Sequence, residues 1–387
     1  MGFTSINIPS LPKISSFYRD VEICILYFMV QTASFIKIKR HQIMITVEKY
    51  GIILSPTDNE FENNGVLNPG IYQDGNTVHI LYRAVQEGNL STIGYAKTEG
   101  PLKIVERLDY PIITRDFDYE KQGVEDARIV KIEDTYYLTY TAYDGINAMG
   151  ALATSKDLVH FEKHGIITPK INYQEYECLV TCCGNKLNPK YHQYYKLFAQ
   201  IGVVADEFRF LRDKDLVFFP KKINGKFAML HRIWPGIQIA YFEDWKDLTK
   251  SYWEDYLKNL TNYIVIDPND VFEVNYIGAG GPPIETEFGW LMIYHGVQET
   301  TTGYIYHAKA ALLQLDKPEN EIARLDLPLF SPTKRWEIEG EVSDVVFPTG
   351  HALFGDDLYI YYGAADKHVA VAKMNINELL HKLKIQP

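Results

Sequence analysis

Val78-His-Ile-Leu-Tyr-Arg83, Tyr136-Tyr-Leu-Thr-Tyr-Thr-Ala-Tyr143, Lys226-Phe-Ala-Met-Leu-His-Arg232, Trp290-Leu-Met-Ile-Tyr-His295 and Leu358-Tyr-Ile-Tyr-Tyr-Gly363 are five versions of one apolar, aromatic strand. Turn residues precede several of them: Asp74-Gly75-Asn76, Asn224-Gly225 and Gly355-Asp356-Asp357. Such turns announce hairpins. A second strand of small residues follows each copy: Thr92–Ala96, Met149–Thr154, Ile237–Tyr241, Ala308–Leu313 and Val369–Lys373. The copies begin at residues 78, 136, 226, 290 and 358, with one wider gap between the second and third. A multi-strand unit repeated five times is the signature of radial repetition. A β-sandwich would not explain five similar units. The expected fold is therefore all-β, a single five-bladed β-propeller over residues 44–387. The wider gap is an insertion at about 170–212, rich in Tyr and Cys. Beyond Ile376–Leu383, few segments have a helical period.

The first 43 residues differ from the rest. Val21–Ile36 is mostly apolar but shorter than the roughly 18 residues of a membrane span. Arg19-Asp20 before it has no net positive charge, and a basic patch, Lys37–His41, follows. Two readings stand: an upstream extension with Met44 as the natural start, or an anchoring or packed segment. The repeat pattern itself needs nothing before Met44.

A formal charge of −11 argues against nucleic acid as a partner, because phosphate backbones demand clustered Lys and Arg. No membrane partner is expected, and self-association is left open. The 28 tyrosines suit strands and equally suit a surface that stacks on sugar rings. Cys24, Cys178, Cys182 and Cys183 match no zinc spacing. They read as reduced thiols in a cytoplasmic protein. The histidines lack ligand spacing, so no metal site is expected.

In a propeller the innermost strands converge on a central channel. The polar stretches just before each repeated strand are therefore the places for chemistry: Gly65–Pro69, Gly123–Ile129, Asp213–Pro220, Tyr276–Pro283 and Val346–Gly350. Glu125 and Asp126 stand side by side, and on an extended segment their side chains point to opposite faces. One faces the channel; the other pairs with a partner such as Arg128. Gly278-Ala-Gly-Gly precedes no helix and reads as a tight passage rather than a nucleotide loop.

Gly123-Val-Glu-Asp-Ala-Arg-Ile129 resembles the G-x-E-D-P-R-I motif of glycoside hydrolase family 130, with Ala127 for Pro. Phe219–Gly225 resembles its F-P-E-K-I-N-G. Ile277–Ile284 with Gly289–Gly296 resembles its G-A-G-x-P-P-I and G-W-L-x-I-Y-H-G. Tyr361–Asp366 resembles its Y-Y-G-A-A-D. The match runs from about Val47 to Met374. The family's fold is the same five-bladed propeller.

The resemblance implies cleavage of β-mannosidic bonds with inversion, acting on small manno-oligosaccharides. It gives Asp126 the role of general acid, delivering its proton through a sugar hydroxyl. It places a phosphate co-substrate on Lys214, Tyr276, His295 and Tyr306, with no other cofactor, releasing mannose 1-phosphate. Asn68, Arg83 and Asp366 fall at sugar-binding positions. The family's phosphorylases carry Arg, Asn and Lys where this chain has Lys214, Asp215 and Tyr276. The alternatives are an inverting β-mannosidase using water, with Asp215, Glu273 or Glu285 as base, and a carbohydrate-binding propeller without catalysis.

Overall fold

The computed structural model describes residues 45–200 and 208–384; the reading of residues 1–43, including Cys24, lies outside them. Five antiparallel blades follow one another along the chain. β1 (Glu48–Leu54) opens the described chain and belongs to the last blade. β2 (Gly65–Asp74), β3 (Thr77–Gln86), β4 (Leu90–Glu99) and β5 (Lys103–Arg107) form the first blade. β6 (Gly123–Ile132), β7 (Thr135–Tyr143), β8 (Ala148–Ser155) and β9 (Phe161–Ile166) form the second. A single parallel bridge, Ser91 to Gly123, joins these two.

The third blade is β10 (Asp213–Phe218), β11 (Phe227–Ile233), β12 (Ile237–Phe242) and β13 (Ile264–Ile266). In the fourth, β14 (Tyr276–Ala279) and β15 (Ile284–Thr286) share β16 (Gly289–Thr300), followed by β17 (Gly303–Leu313) and β18 (Glu321–Arg324). The fifth is β19 (Val346–Phe354), β20 (Asp357–Ala364) and β21 (His368–Asn375). Its outer strand is β1, paired from Glu48 opposite Lys373 to Leu54 opposite Val369. The start of the described chain thus completes its last blade and covers the edge that β21 would otherwise present.

The repeated strands are the second strands of the blades, β3, β7, β11, β16 and β20. Both of their faces are buried, so they read as apolar runs rather than as an alternation. Leu291 and Ile293 pack on Leu358 and Ile360 of the fifth blade. Trp290, Met292 and Tyr294, pointing the other way, pack on Leu230 and Ile239 of the third. Further cores join the first blade to the second through Leu81 and Leu138, the fifth to the first through Tyr361 and Ile80, and the second to the third through Leu152 and Met229. Five interblade cores close the ring.

A polar device recurs at equivalent places. The Tyr82 hydroxyl donates to Glu62 at 2.6 Å, and Arg107 lies 2.8 Å from the same carboxylate. Tyr140 donates to Glu120 at 2.6 Å, with Lys163 at 2.7 Å. Tyr294 donates to Glu273 at 2.5 Å, with Arg324 at 3.0 Å. Tyr362 donates to Glu337 at 2.7 Å, with Lys49 of β1 at 2.7 Å. In the third blade His231 replaces the tyrosine, bridging Asp213 and the Tyr256 hydroxyl at 2.8 Å each. All five acids are fully buried. Removing one partner of a buried ion pair strands the others. Glu273→Ala is therefore expected to cost about 3–5 kcal/mol, read as a lower urea midpoint with unchanged slope.

The described part of the insertion is helical, which its Tyr and Cys content did not announce. α1 (Tyr173–Cys182) starts at Asn172, whose side chain accepts from the Glu175 N–H while Glu175 answers the Asn172 N–H. α2 is Gln193–Gln200, and α3 (Lys250–Lys258) follows the third blade. Tyr173, Tyr176, Val180, Tyr191 and Phe198 pack with Trp253, Tyr256, Phe218 and Phe227. The insertion thus covers the third blade's flank. Cys178, Cys182 and Cys183 are exposed, unbridged thiols on it. α4 (Arg335–Ile338) carries Glu337, and α5 (Ile376–Lys384) falls where the helical period was read. Among the described residues no helix is long and apolar enough to cross a membrane.

Candidate active site

Three innermost strands break their ladders at matching positions. The register slips between Leu67 and Gly70 in β2, between Glu125 and Arg128 in β6, and between Lys214 and Val217 in β10. At each slip sits a non-glycine residue in left-handed backbone: Asn68 (φ 47°), Asp126 (φ 53°) and Asp215 (φ 56°). Asn and Asp tolerate this region better than other side chains. A bulge re-aims a side chain, and here all three are turned into one buried cluster. Asp366, on the turn after β20, is also left-handed (φ 50°).

The bulge overturns one expectation. Glu125 and Asp126 do not point to opposite faces. Both reach Arg83, Glu125 at 2.9 Å and Asp126 at 3.7 Å. Arg128 does not pair with Glu125. It donates to the carbonyls of Gly280 and Asp126, each at 2.7 Å, and lies 3.8 Å from Asp215.

Asn68, Arg83 and Asp366 gather around Asp126. The Asn68 amide donates to the Asp126 carboxylate at 2.8 Å. Its own buried oxygen has no partner. A Cβ on Gly363 would collide with that oxygen, so only glycine leaves it room. Burial opposes charge on Asp126, but Arg83, Lys214 and Arg128 outweigh it and hold the carboxyl below its ordinary value. Asp366 goes the other way. Burial, and the nearby charge of Asp126 and Glu125, push it up to about 6 against the pull of Arg83 and Lys214.

This has a stability consequence. The folded Asp366 binds its proton more tightly than an unfolded Asp with an ordinary value of 3.8. Folding therefore loses stability as pH rises from that value through about 6, and the loss is complete above it. Asp366→Asn is expected to raise Tm at pH 7 and to change it little at pH 4. Equal shifts at both pH values would contradict the assignment.

Lys214, Tyr276, His295 and Tyr306 meet on the adjoining side. Lys214 reaches Glu125 at 3.5 Å. The Tyr276 and Tyr306 hydroxyls are 2.8 Å apart. The His295 ring packs against Phe347, centroids 4.3 Å apart and planes tilted by 35°, and lies 3.9 Å from Asp215. Burial lowers its pKa to about 3, Asp215 opposing, so the ring is neutral and that contact is not an ion pair. Neither ring nitrogen has a partner. Among the described residues no cluster of His, Cys, Asp or Glu has metal-binding geometry.

Arg232 joins this group, although the sequence did not single it out. Its Nε is 2.7 Å from Asp215, in ion-pair contact but not aligned as a hydrogen bond. Its guanidinium lies over the Tyr276 ring at 4.6 Å. The signal was in the repeat. Arg83, Arg232, His295 and Gly363 each follow the blade's Tyr or His by one residue, so they face the channel when that residue faces the core. Two of the three candidate bases fall outside the cluster. Glu273 belongs to the fourth blade's buried ion pairs, and Glu285 is exposed on Lys221 at 2.6 Å.

A family model described as beta-1,4-mannooligosaccharide phosphorylase matches residues 37–218 and 201–385. The chain belongs to glycoside hydrolase family 130. Within family 130 it is 31% identical over 341 residues to a 1,2-beta-oligomannan phosphorylase of a Thermoanaerobacter species, covering 85% of this chain and 96% of the relative. It is 33% identical to a beta-1,2-mannobiose phosphorylase of the same source, covering 83% and 93%. The fold matches that of the Listeria innocua beta-1,2-mannobiose phosphorylase with a TM-score of 0.65 at 24% identity, over 88% of this chain and 100% of that one. It matches equally a family 130 structure described with glycoside hydrolases that target beta-1,2 linkages in Candida mannan, TM-score 0.65 at 24% identity, covering 87% and 96%. The chain is thus a glycosidase-type enzyme. The choice of nucleophile rests on the residues around Asp215.

Proposed function

We propose that this enzyme phosphorolyses the β-mannosidic bond of short manno-oligosaccharides, with inversion, to give mannose 1-phosphate and a shortened sugar. The observation that carries the reading is one buried mouth holding Asp126 beside Arg128, Lys214, Arg232 and His295. Buried polar groups with unfilled capacity call for a ligand. Among those here are the nitrogens Arg128 Nη2, Arg232 Nε and both of His295, beside the oxygens Asn68 Oδ1 and Asp215 Oδ2. The relatives spanning more than four-fifths of the chain act, by name, on β-1,2-linked mannosides. β-1,2-Mannobiose is therefore the first substrate to test.

In the proposed step, a phosphate oxygen attacks the anomeric carbon from the side of Arg232 and His295. The bond from that carbon to the departing oxygen breaks. Asp126 supplies the proton for that oxygen, directly or through a sugar hydroxyl. Burial opposes charge on Asp126, but Arg83, Lys214 and Arg128 outweigh it, so the carboxyl is ionised before substrate binds. A sugar that engages Arg83 and excludes water weakens that attraction, and the carboxyl takes up its proton as substrate binds. Asn68, Arg83 and Asp366 hold the sugar, through charge-assisted hydrogen bonds where they are charged.

Incubation with β-1,2-mannobiose, with and without inorganic phosphate, tests the reading. Mannose 1-phosphate should form only with phosphate. Free mannose at the same rate without phosphate identifies a hydrolase; no product from any manno-disaccharide identifies a binding protein. Arg232→Ala should raise the phosphate KM about tenfold or more, the effect of losing a charged hydrogen bond. The KM for the sugar should move far less.

A further inference from the structure

Asp215 does not fit a site that simply attracts anions. It is a buried carboxylate among the cations that would hold phosphate. Burial opposes its charge, but the cations Arg232, Arg128 and Lys214 outweigh that, and it stays ionised. Its Oδ2 has no hydrogen-bond partner and lies 2.7 Å from Arg232. A Cβ on Gly278 would meet the same oxygen, which fixes how closely β14 approaches it. The groups facing it are Arg128 and Asp126 from β6, Lys214 from β10, Arg232 from β11, Tyr276 and Gly278 from β14, His295 from β16 and Tyr306 from β17. None of these except Arg232 comes close enough to occupy Oδ2.

The charges in the mouth balance without a ligand. Arg83, Arg128, Lys214 and Arg232 are cationic; Glu125, Asp126, Asp215 and Asp366 are the carboxylates, and His295 is neutral. A dianion would enter with no charge left to meet it, and its oxygens would face the lone pairs of Asp215. A monoanion carrying a hydroxyl would offer a donor there, and it becomes charge-balanced when Asp126 takes its proton.

Resting on the phosphorolysis reading, we propose that Asp215 makes this site select a protonated oxyanion: phosphate is used as the monoanion, with one P–OH donating to Asp215. An unprotonated oxygen makes the bond to the anomeric carbon. Of the monoanion's two protons, one stays on the sugar phosphate against Asp215. The other leaves the newly formed, more acidic phosphate ester for solvent, and so replaces the proton that Asp126 took up on binding and gave to the departing alcohol. Sulfate, which carries no proton at neutral pH, is rejected.

Titration calorimetry of the full chain with inorganic phosphate and with sodium sulfate tests this, on the wild type and on Asp215→Asn. Asn accepts left-handed backbone, so the variant should keep its fold. The wild type should bind phosphate more tightly as pH falls through phosphate's second ionisation. It should bind sulfate about 10- to 100-fold more weakly, the worth of one hydrogen bond to a charged group. In Asp215→Asn that ratio should collapse and the pH slope should flatten. Titration of Asp366 alters the two anions alike, so the ratio isolates Asp215. A wild type that consumes phosphate yet binds sulfate as well as phosphate overturns the inference and leaves phosphorolysis intact. So does an Asp215→Asn variant that still rejects sulfate. A wild type that splits mannobiose but binds phosphate at no pH removes phosphorolysis and this inference together.

Discussion

Asp126→Asn lowers turnover by about 10²–10⁴-fold, the usual contribution of a positioned acid. The substitution keeps size, keeps a left-handed backbone that Asn accepts, and keeps an oxygen for the Asn68 amide 2.8 Å away. What it removes is the transferable proton. Sugar affinity should survive, because Arg83 and Asp366 remain. The pattern to look for is a fall in kcat with little change in KM. Substrates with an activated leaving group, which need no proton, should recover most of the rate. An Asn variant with wild-type turnover removes the central assignment; one that loses sugar binding instead makes Asp126 a sugar ligand.

Deleting residues 1–54 should abolish cooperative folding, whereas deleting 1–43 should leave folding and activity intact. The difference is β1. Without it β21 loses its ladder partner from Lys373 to Val369. Leu54 no longer fills the core between the fifth and first blades. Lys49, which meets Glu337 at 2.7 Å, is gone, and a fully buried carboxylate loses its cation. That last loss alone is worth about 3–5 kcal/mol, against a total stability of about 5–15 kcal/mol. Circular dichroism melts of the two truncations decide it: a sharp transition in the longer deletion contradicts the closure argument, and a lost transition in the shorter one makes the extension part of the fold.

The blades were legible because the repeated strand is unusual. Leu291 and Met292 pack into different neighbouring blades, so both faces must be apolar, and the run stands out from its surroundings. The gathering of Asn68, Asp126, Lys214, His295 and Asp366 could be anticipated for a related reason: in a closed ring the segments before these strands have one place to meet. Direction was harder to read. Alternation along a strand put Glu125 and Asp126 on opposite faces, but a slip in the ladder depends on pairing with the next strand, which local sequence does not contain. Arg232 was missed because His231 hides it; the third blade replaces the tyrosine of the buried device with histidine. The helix α1 was signalled by Asn172 and Glu175 at capping spacing and by Tyr173, Tyr176 and Val180 on one side. Its aromatic residues equally suit strands, which masks that period.

The left-handed residues at the three ladder slips restrict how this mouth can change over generations. Each holds its conformation at about 1–3 kcal/mol of strain, and Gly, Asn and Asp are the side chains that bear it with least penalty. At these positions the inheritable alphabet is nearly three letters long. Position 215 can therefore drift between carboxamide and carboxylate by one small step, without disturbing a single blade. On this scaffold the preference for one incoming oxyanion over another is a binary trait carried by one residue.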